Sequence, residues 1–194
     1  MPVQIGVKTH NFSDPTGLLS DCHRRIEMFL RSLERIAIVI HCPLTEEGRA
    51  ALESALRYFR EAAPKHTADE EESLFPRLRQ MFHPDIQSAI ERLEPLENDH
   101  RLAGTLHAEV EELGQKCLAM GPLSSTEADA FRRAIASLVS MYKQHISIED
   151  DLVFPLAARL LCSADSAAIG AEMAARRKIR LVGVDARSAC SILP

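Results

Sequence analysis

The 194-residue chain has no tryptophan and only 5% aromatic residues, yet 46% of it is hydrophobic and 26% charged, an ordinary globular balance that excludes a disordered chain. A basic excess is lacking too: the formal charge is −5, which argues against a polyanion-binding surface and so against a nucleic-acid partner. The five cysteines, at positions 22, 42, 117, 162 and 190, are odd in number, scattered and without a C-x2-C pair. Neither a disulfide framework nor a zinc ribbon is indicated, and reduced thiols in a cytosol fit best. No apolar run of 18 residues occurs, and the first residues lack the basic start and apolar stretch of a secretion signal. The expectation is a soluble, cytoplasmic protein with no membrane partner. Its length suits one domain with a sizeable core better than two very small ones.

What the chain does have is an internal repeat. Residues 66–76 read HTADEEESLFP and residues 145–155 read HISIEDDLVFP. Both give His, three residues, Glu, four residues, Phe-Pro. On a helix the glutamate falls one turn after the histidine on the same face, which makes each copy a chelating pair. A second element recurs with it, because Leu19 precedes His23-Arg24 by four residues as Leu96 precedes His100-Arg101. The chain order is therefore His, His-x3-Glu, His, His-x3-Glu.

Four apolar stripes at 4-3 spacing carry these residues and predict four helices packed in a bundle. The first runs Leu19, His23, Ile26, Leu30, Leu33, Ala37 and Ile40 and stops near Cys42-Pro43; Thr45-Glu46-Glu47 then supplies an N-cap and an acidic first turn. The second runs Leu52, Leu56, Phe59, Ala63, His66, Glu70 and Ser73 and ends near His83-Pro84, with Pro64 expected to kink it just before the His-Glu pair. The third runs Ala89, Leu93, Leu96, His100, Ala103, His107, Val110, Gly114 and Cys117 to Gly121-Pro122, and Pro95 within it is a candidate break. The fourth is Phe131, Ile135, Leu138, Tyr142, His145, Glu149, Leu152 and Leu156. Residues 164–180 suggest a shorter fifth helix, whose basic cluster of Arg176, Arg177, Lys178 and Arg180 reads as a solvated helix end rather than a docking patch. The remainder to Pro194 has no clear period. The expected fold is all-α: an antiparallel up-down-up-down four-helix bundle over residues 1–162, with its core in 18–160, followed by a C-terminal helix and tail in 163–194.

If each proline-marked turn reverses the chain, the four histidines fall at one level. His23 lies 20 residues before Pro43 and His66 lies 23 after it; His66 is 18 before Pro84 and His100 is 16 after it; His100 is 22 before Pro122 and His145 is 23 after it. At 1.5 Å per residue the largest mismatch is about 4 to 5 Å. Four imidazoles and two carboxylates turned inward at one height are very costly to bury without partners, and metal ions remove that cost. Two sites of mixed N and O donors bridged by the glutamates resemble the dinuclear centres that bundles build from facing helices. Imidazole with carboxylate suits iron, with manganese or zinc as alternatives.

At these residues the chain resembles the hemerythrin-like HHE cation-binding family, over roughly residues 18 to 160, and within it the subgroup with four histidines and two glutamates. That resemblance implies two non-haem iron ions in a carboxylate-bridged centre with His23, His66, Glu70, His100, His145 and Glu149 as ligands. It also implies a small diatomic or peroxide ligand, and a stress-response setting such as the repair of iron–sulfur clusters after nitrosative or oxidative damage. Two departures shape the expectation. Oxygen-carrying members have a fifth histidine one turn after the third-helix ligand, where this chain has Gly104, so the centre should be more open to water, O2, nitric oxide or peroxide and less suited to stable reversible oxygen carriage. Those carriers also place the last carboxylate five residues after its histidine, at what is Asp150 here; Glu149 is preferred because it repeats Glu70. The cysteine-bearing N-terminal domain of many repair proteins has no counterpart in this sequence, so that role is not expected to carry over whole.

Two more residues flank the proposed ligands. His107 lies seven residues after His100, about 10.5 Å along the axis, and is expected to be a core histidine hydrogen-bonded to a neighbouring helix rather than a ligand. Tyr142 lies one turn before His145, where its hydroxyl serves either packing or a hydrogen bond to a bound oxygen species. The leading expectation is a di-iron protein that binds or reacts with O2, NO or peroxide as sensor, scavenger or iron donor. The alternatives are a ferroxidase- or peroxidase-like enzyme and a metal-stabilised helical interaction module. Catalytic residues and any protein partner are left open.

Overall fold

The computed structural model describes residues 10–181. The segments 1–9 and 182–194, with Cys190 and most of the aperiodic tail, lie outside the described residues. The fold is all-α, with no strand among the described residues. In chain order the α-helices are α1 (Pro15–Val39), α2 (Glu46–Glu61), α3 (Ala63–Ala68), α4 (Phe75–Arg79), α5 (Gln87–Met120), α6 (Ser125–Ile148), α7 (Phe154–Leu160) and α8 (Ser163–Arg176). A π turn at Asp69–Leu74 joins α3 to α4, and a second at Glu149–Val153 joins α6 to α7. None of the described helices is long and apolar enough to cross a membrane.

The helix starts are set by side chains that satisfy the first free amides. Asp14 accepts from the Gly17 amide at 3.0 Å with Pro15 at the first helical position. Thr45 accepts from the Gly48 amide at 3.1 Å, ahead of Glu46 and Glu47. Ser124 and Glu127 form a capping box: the Ser124 amide donates to Glu127 at 3.0 Å and the Ser124 hydroxyl accepts from the Glu127 amide at 3.4 Å. Gly121 ends the preceding helix at φ +96°, a conformation that favours glycine.

The described chain divides into two compact units. One comprises residues 24–64 and 95–146, and is a four-helix bundle built from parts of α1, α2, α5 and α6. Its core is apolar and well buried, with Leu33, Leu52, Phe131 and Leu138 at 0% exposure; each such side chain contributes about 1.5–3 kcal/mol by leaving water. The turns 40–45 and 121–124 reverse the chain, and the Leu123 amide donates to the Ile40 carbonyl at 3.1 Å, so both turns sit at one end. The other unit comprises residues 10–23, 65–94 and 147–181. It holds the start of α1, both π turns, α4, α7 and α8. Within it α8 buries Ile169, Gly170, Met173 and Ala174, and seats so closely that a Cβ on Gly170 would lie 1.9 Å from the Phe12 carbonyl oxygen.

Three expectations are corrected. Pro95 does not break off a segment: α5 runs through it. Pro95 and Glu91 are exposed, so the carbonyl left without its donor faces water, while Leu93 and Leu96 on either side are fully buried. The fourth stripe does not continue through Leu152 and Leu156, which are half-buried; Val153, Phe154 and Ala157 take the buried face. The fifth helix ends at Arg176, and its basic residues are not simply solvated, because Arg176 and Arg177 both pair with the fully buried Asp69. Near Pro64, where a kink is expected, the helix is interrupted at Ala62, between α2 and α3.

The stripe shift has a local cause that both repeats share. In each π turn the phenylalanine amide bonds to the carbonyl of the glutamate five residues earlier, Phe75 to Glu70 and Phe154 to Glu149. The following residue, Pro76 or Pro155, has no amide to give, and in an α-helix its ring would press on the carbonyl four residues back. One extra residue per turn then rotates everything downstream by about 100°.

Candidate metal centre

His23 stands on the buried stripe of α1 at 0% exposure. Its Nδ1 donates to Asp150 Oδ1 at 2.9 Å, and the Ser20 hydroxyl donates to the same oxygen at 2.8 Å. An ionised carboxylate only accepts, so Nδ1 carries a proton, and Nε2 is the nitrogen whose lone pair a cation would use in place of the second proton. That nitrogen lies 3.1 Å from Glu149 Oε2 and 3.9 Å from Glu70 Oε1. His66 Nε2 lies 3.2 Å from Glu70 Oε1, one turn on in sequence. The His23 ring packs edge-on to His66 at 4.9 Å and stacks on Phe154 at 5.3 Å, which gives the second Phe-Pro phenylalanine a role beside the imidazole.

Each of His23, His66, Glu70 and Glu149 thus brings one donor atom into a group spanning no more than 4.8 Å, with exposures of 4% or less. Two carboxylates this close in a dry interior repel each other unless a cation sits between them. Burial, the largest single influence on His23, disfavours its charged form, yet the Asp150 bond together with Glu149 and Glu70 outweighs it and lifts the pKa to about 10. The pocket therefore draws positive charge strongly. Two imidazoles and two carboxylates are a donor set of intermediate softness that fits iron, manganese or zinc.

His100 and His145 face each other in the four-helix unit, Nε2 to Nε2 at 3.2 Å with ring centres 4.7 Å apart. Asp99 lies 3.4 Å from His145 Nδ1, a looser version of the Asp150 contact on His23. Two like ring nitrogens at this distance share either a proton or a cation.

His107 is half-buried on α5 and meets the neighbouring α6. Its Nε2 is 3.1 Å from the Tyr142 hydroxyl and its ring stacks on Phe59 at 4.2 Å. Burial pushes its pKa down to about 4, so the ring is neutral, and the hydroxyl lies within hydrogen-bond reach of it. Tyr142 also lies edge-on to His145, with ring centres 6.1 Å apart. Gly104 is exposed, and a Cβ there would meet nothing within 4 Å, so that position lends no donor.

Sequence reasoning missed the acids behind the histidines. Asp150 was weighed only as a rival to Glu149; adjacency to Glu149, about 100° round the helix, was the available signal that it faces another partner. Asp99, immediately before His100, carried the same signal. Asp69, immediately before Glu70, carried it too, but nothing in the sequence named its partners, because the arginines that hold it come from 107 and 108 residues away.

Comparison with known proteins agrees with the donor geometry. The family model described as "Hemerythrin HHE cation binding domain" matches residues 14–158. A protein of Haemophilus influenzae described as uncharacterized is 28% identical over 171 residues, covering 87% of this chain and 93% of its own length.

Proposed function

The chain belongs to the hemerythrin HHE cation-binding domain family, and from that premise we propose that it is a non-haem di-iron protein that binds or reacts with O2, NO or peroxide. The observation that carries this reading is the buried group of His23, His66, Glu70 and Glu149. We assign His100 and His145 as the remaining ligands, on the doubled order of the sequence and the equal spacing of all four histidines from the turns. Bound iron would supply redox chemistry and a place for a small ligand. The chain's own residues would supply the rest. Asp150 orients the His23 imidazole, Asp99 that of His145, and Phe154 keeps the His23 ring packed. The Tyr142 hydroxyl, one turn before His145, is held near the neutral His107 and is a hydrogen-bond donor to a ligand at the centre.

Metal content and the optical spectrum of anaerobically purified protein test this, with His66→Ala as the comparison. About two irons per chain, near-ultraviolet charge-transfer bands on oxidation and their loss in His66→Ala are expected. New bands should appear when the reduced protein meets O2 or NO. Reduced iron-loaded protein whose spectrum is unchanged by O2, NO and peroxide would overturn the ligand-binding role, and sustained turnover of iron(II) or peroxide would make the protein an enzyme instead.

A further inference from the structure

Asp69 immediately precedes Glu70, is 0% exposed, and faces α8. Arg176 Nη1 donates to Asp69 Oδ1 at 2.9 Å and Arg177 Nη2 to Oδ2 at 2.6 Å, so each carboxylate oxygen has its own guanidinium. Arg176 also reaches Glu72 at 3.1 Å and the Ser73 hydroxyl at 2.9 Å, which places it across the first π turn. The pairing is returned from the other side: Arg77, just past that turn, donates to Glu172 of α8 at 2.8 and 3.1 Å and to the Ser73 carbonyl at 2.8 Å. Both sides of the contact carry both signs of charge, which fixes its register.

A π turn is a rare, single-turn departure from the α-helical ladder, so it relies on its surroundings to persist. This one nonetheless has to present Glu70 to His23 and His66 with sub-ångström consistency if it is to hold an ion. A buried carboxylate such as Asp69 is strongly destabilising unless paired, so once paired it resists displacement. The repeat shows that the pairing is not required for a π turn to form: the residue matching Asp69 in the second copy is Ile148, and the turn at Glu149–Val153 forms all the same.

We propose that Asp69, Arg176 and Arg177 are positioning residues for Glu70. Helix α8 is a latch that holds the first π turn in place and so sets how slowly a bound divalent cation leaves. The proposal rests on the reading of His23, His66, Glu70 and Glu149 as cation ligands. Opening the latch keeps every ligand in the chain but frees the Glu70 carboxylate to swing, so retention falls before the fold does.

The test uses the full chain loaded with Co(II), whose visible bands report the ligand set, and follows transfer of the metal to an excess of chromophoric chelator. Asp69→Asn keeps the shape and removes the charge. The double variant R176Q/R177Q opens the latch from α8, whose guanidinium groups already have partial access to water. Leu33→Ala, a cavity in the four-helix unit, is the control for lost stability, and His66→Ala is the control for the ligand reading. Both latch variants should release Co(II) at least about 10-fold faster than the wild type and show shifted bands at saturating metal, with Leu33→Ala matching the wild type in both. Release at the wild-type rate from both latch variants, while His66→Ala fails to retain metal, overturns the latch and leaves the metal reading standing. Equal acceleration in Leu33→Ala overturns it also, since release then follows stability alone. Retention in His66→Ala equal to the wild type overturns the ligand reading and the latch with it.

Discussion

An imidazole offers two nitrogens, and the one that is not already donating is the one a cation can use. At His23 that choice is made by Asp150, 127 residues away in sequence and 2.9 Å away in space. Asp150→Asn replaces an obligate acceptor with an amide that can turn either face to the ring. We expect it to fold normally and to lose about 10- to 100-fold in metal affinity, measured by competition with a chromophoric chelator. His107 makes a different prediction. Burial holds its folded pKa near 4, below the roughly 6.5 of an exposed histidine. Between those values the unfolded chain binds the extra proton, so stability is full above pH about 6.5 and declines as pH falls toward about 4. The loss should be about 1–3 kcal/mol, read from urea unfolding of metal-free protein at several pH values. His107→Phe should flatten that part of the profile.

At the scale of helices, most of the fold was legible in the sequence. The 4-3 stripes, the Thr45 and Ser124 caps and the proline stops act within a few residues of themselves, so a linear reading catches them. The π turns were not legible from periodicity, because a stripe cannot reveal that it has gained one residue until the residues beyond it are seen to be buried. The Phe-Pro repeat is their signal: Pro76 visibly removes an amide, but a missing amide alone does not tell a reader that the turn gains a residue. The two π turns place Glu70 and Glu149, so the feature least visible to a helical period governs the carboxylates of the site. Contacts across more than a hundred residues, such as Asp69 with Arg177, leave no periodic trace at all. Helix α8 also yields a packing prediction. Gly170→Ala would put a methyl 1.9 Å from the Phe12 carbonyl oxygen, so the helix must lift from residues 10–14. We expect a loss of about 1–3 kcal/mol and faster proteolytic cleavage near residue 163, compared with Ala171→Gly or another change on the exposed face.

For the whole molecule, a cation that binds only the folded chain stabilises it by mass action. Free metal at about 100 times its dissociation constant adds about 2.7 kcal/mol, so chelation should lower the melting temperature by roughly 5–10 °C for a chain of this size. Scanning calorimetry with and without chelator checks this, and an identical melting temperature in both would mean that the buried donors hold no ion. The four-helix unit of the metal-free chain should still melt cooperatively, because its apolar cluster is separate from the four donors. That cluster, from Ile26 to Ile146, lies within residues 24–64 and 95–146, whereas His23, His66, Glu70 and Glu149 belong to the other unit. The four-helix unit can therefore form before any ion arrives, which makes it a frame that waits for the metal rather than a knot tied by it. Loading is then a matter of the ion shedding its waters and finding a way in, and an emptied molecule is ready to be filled again.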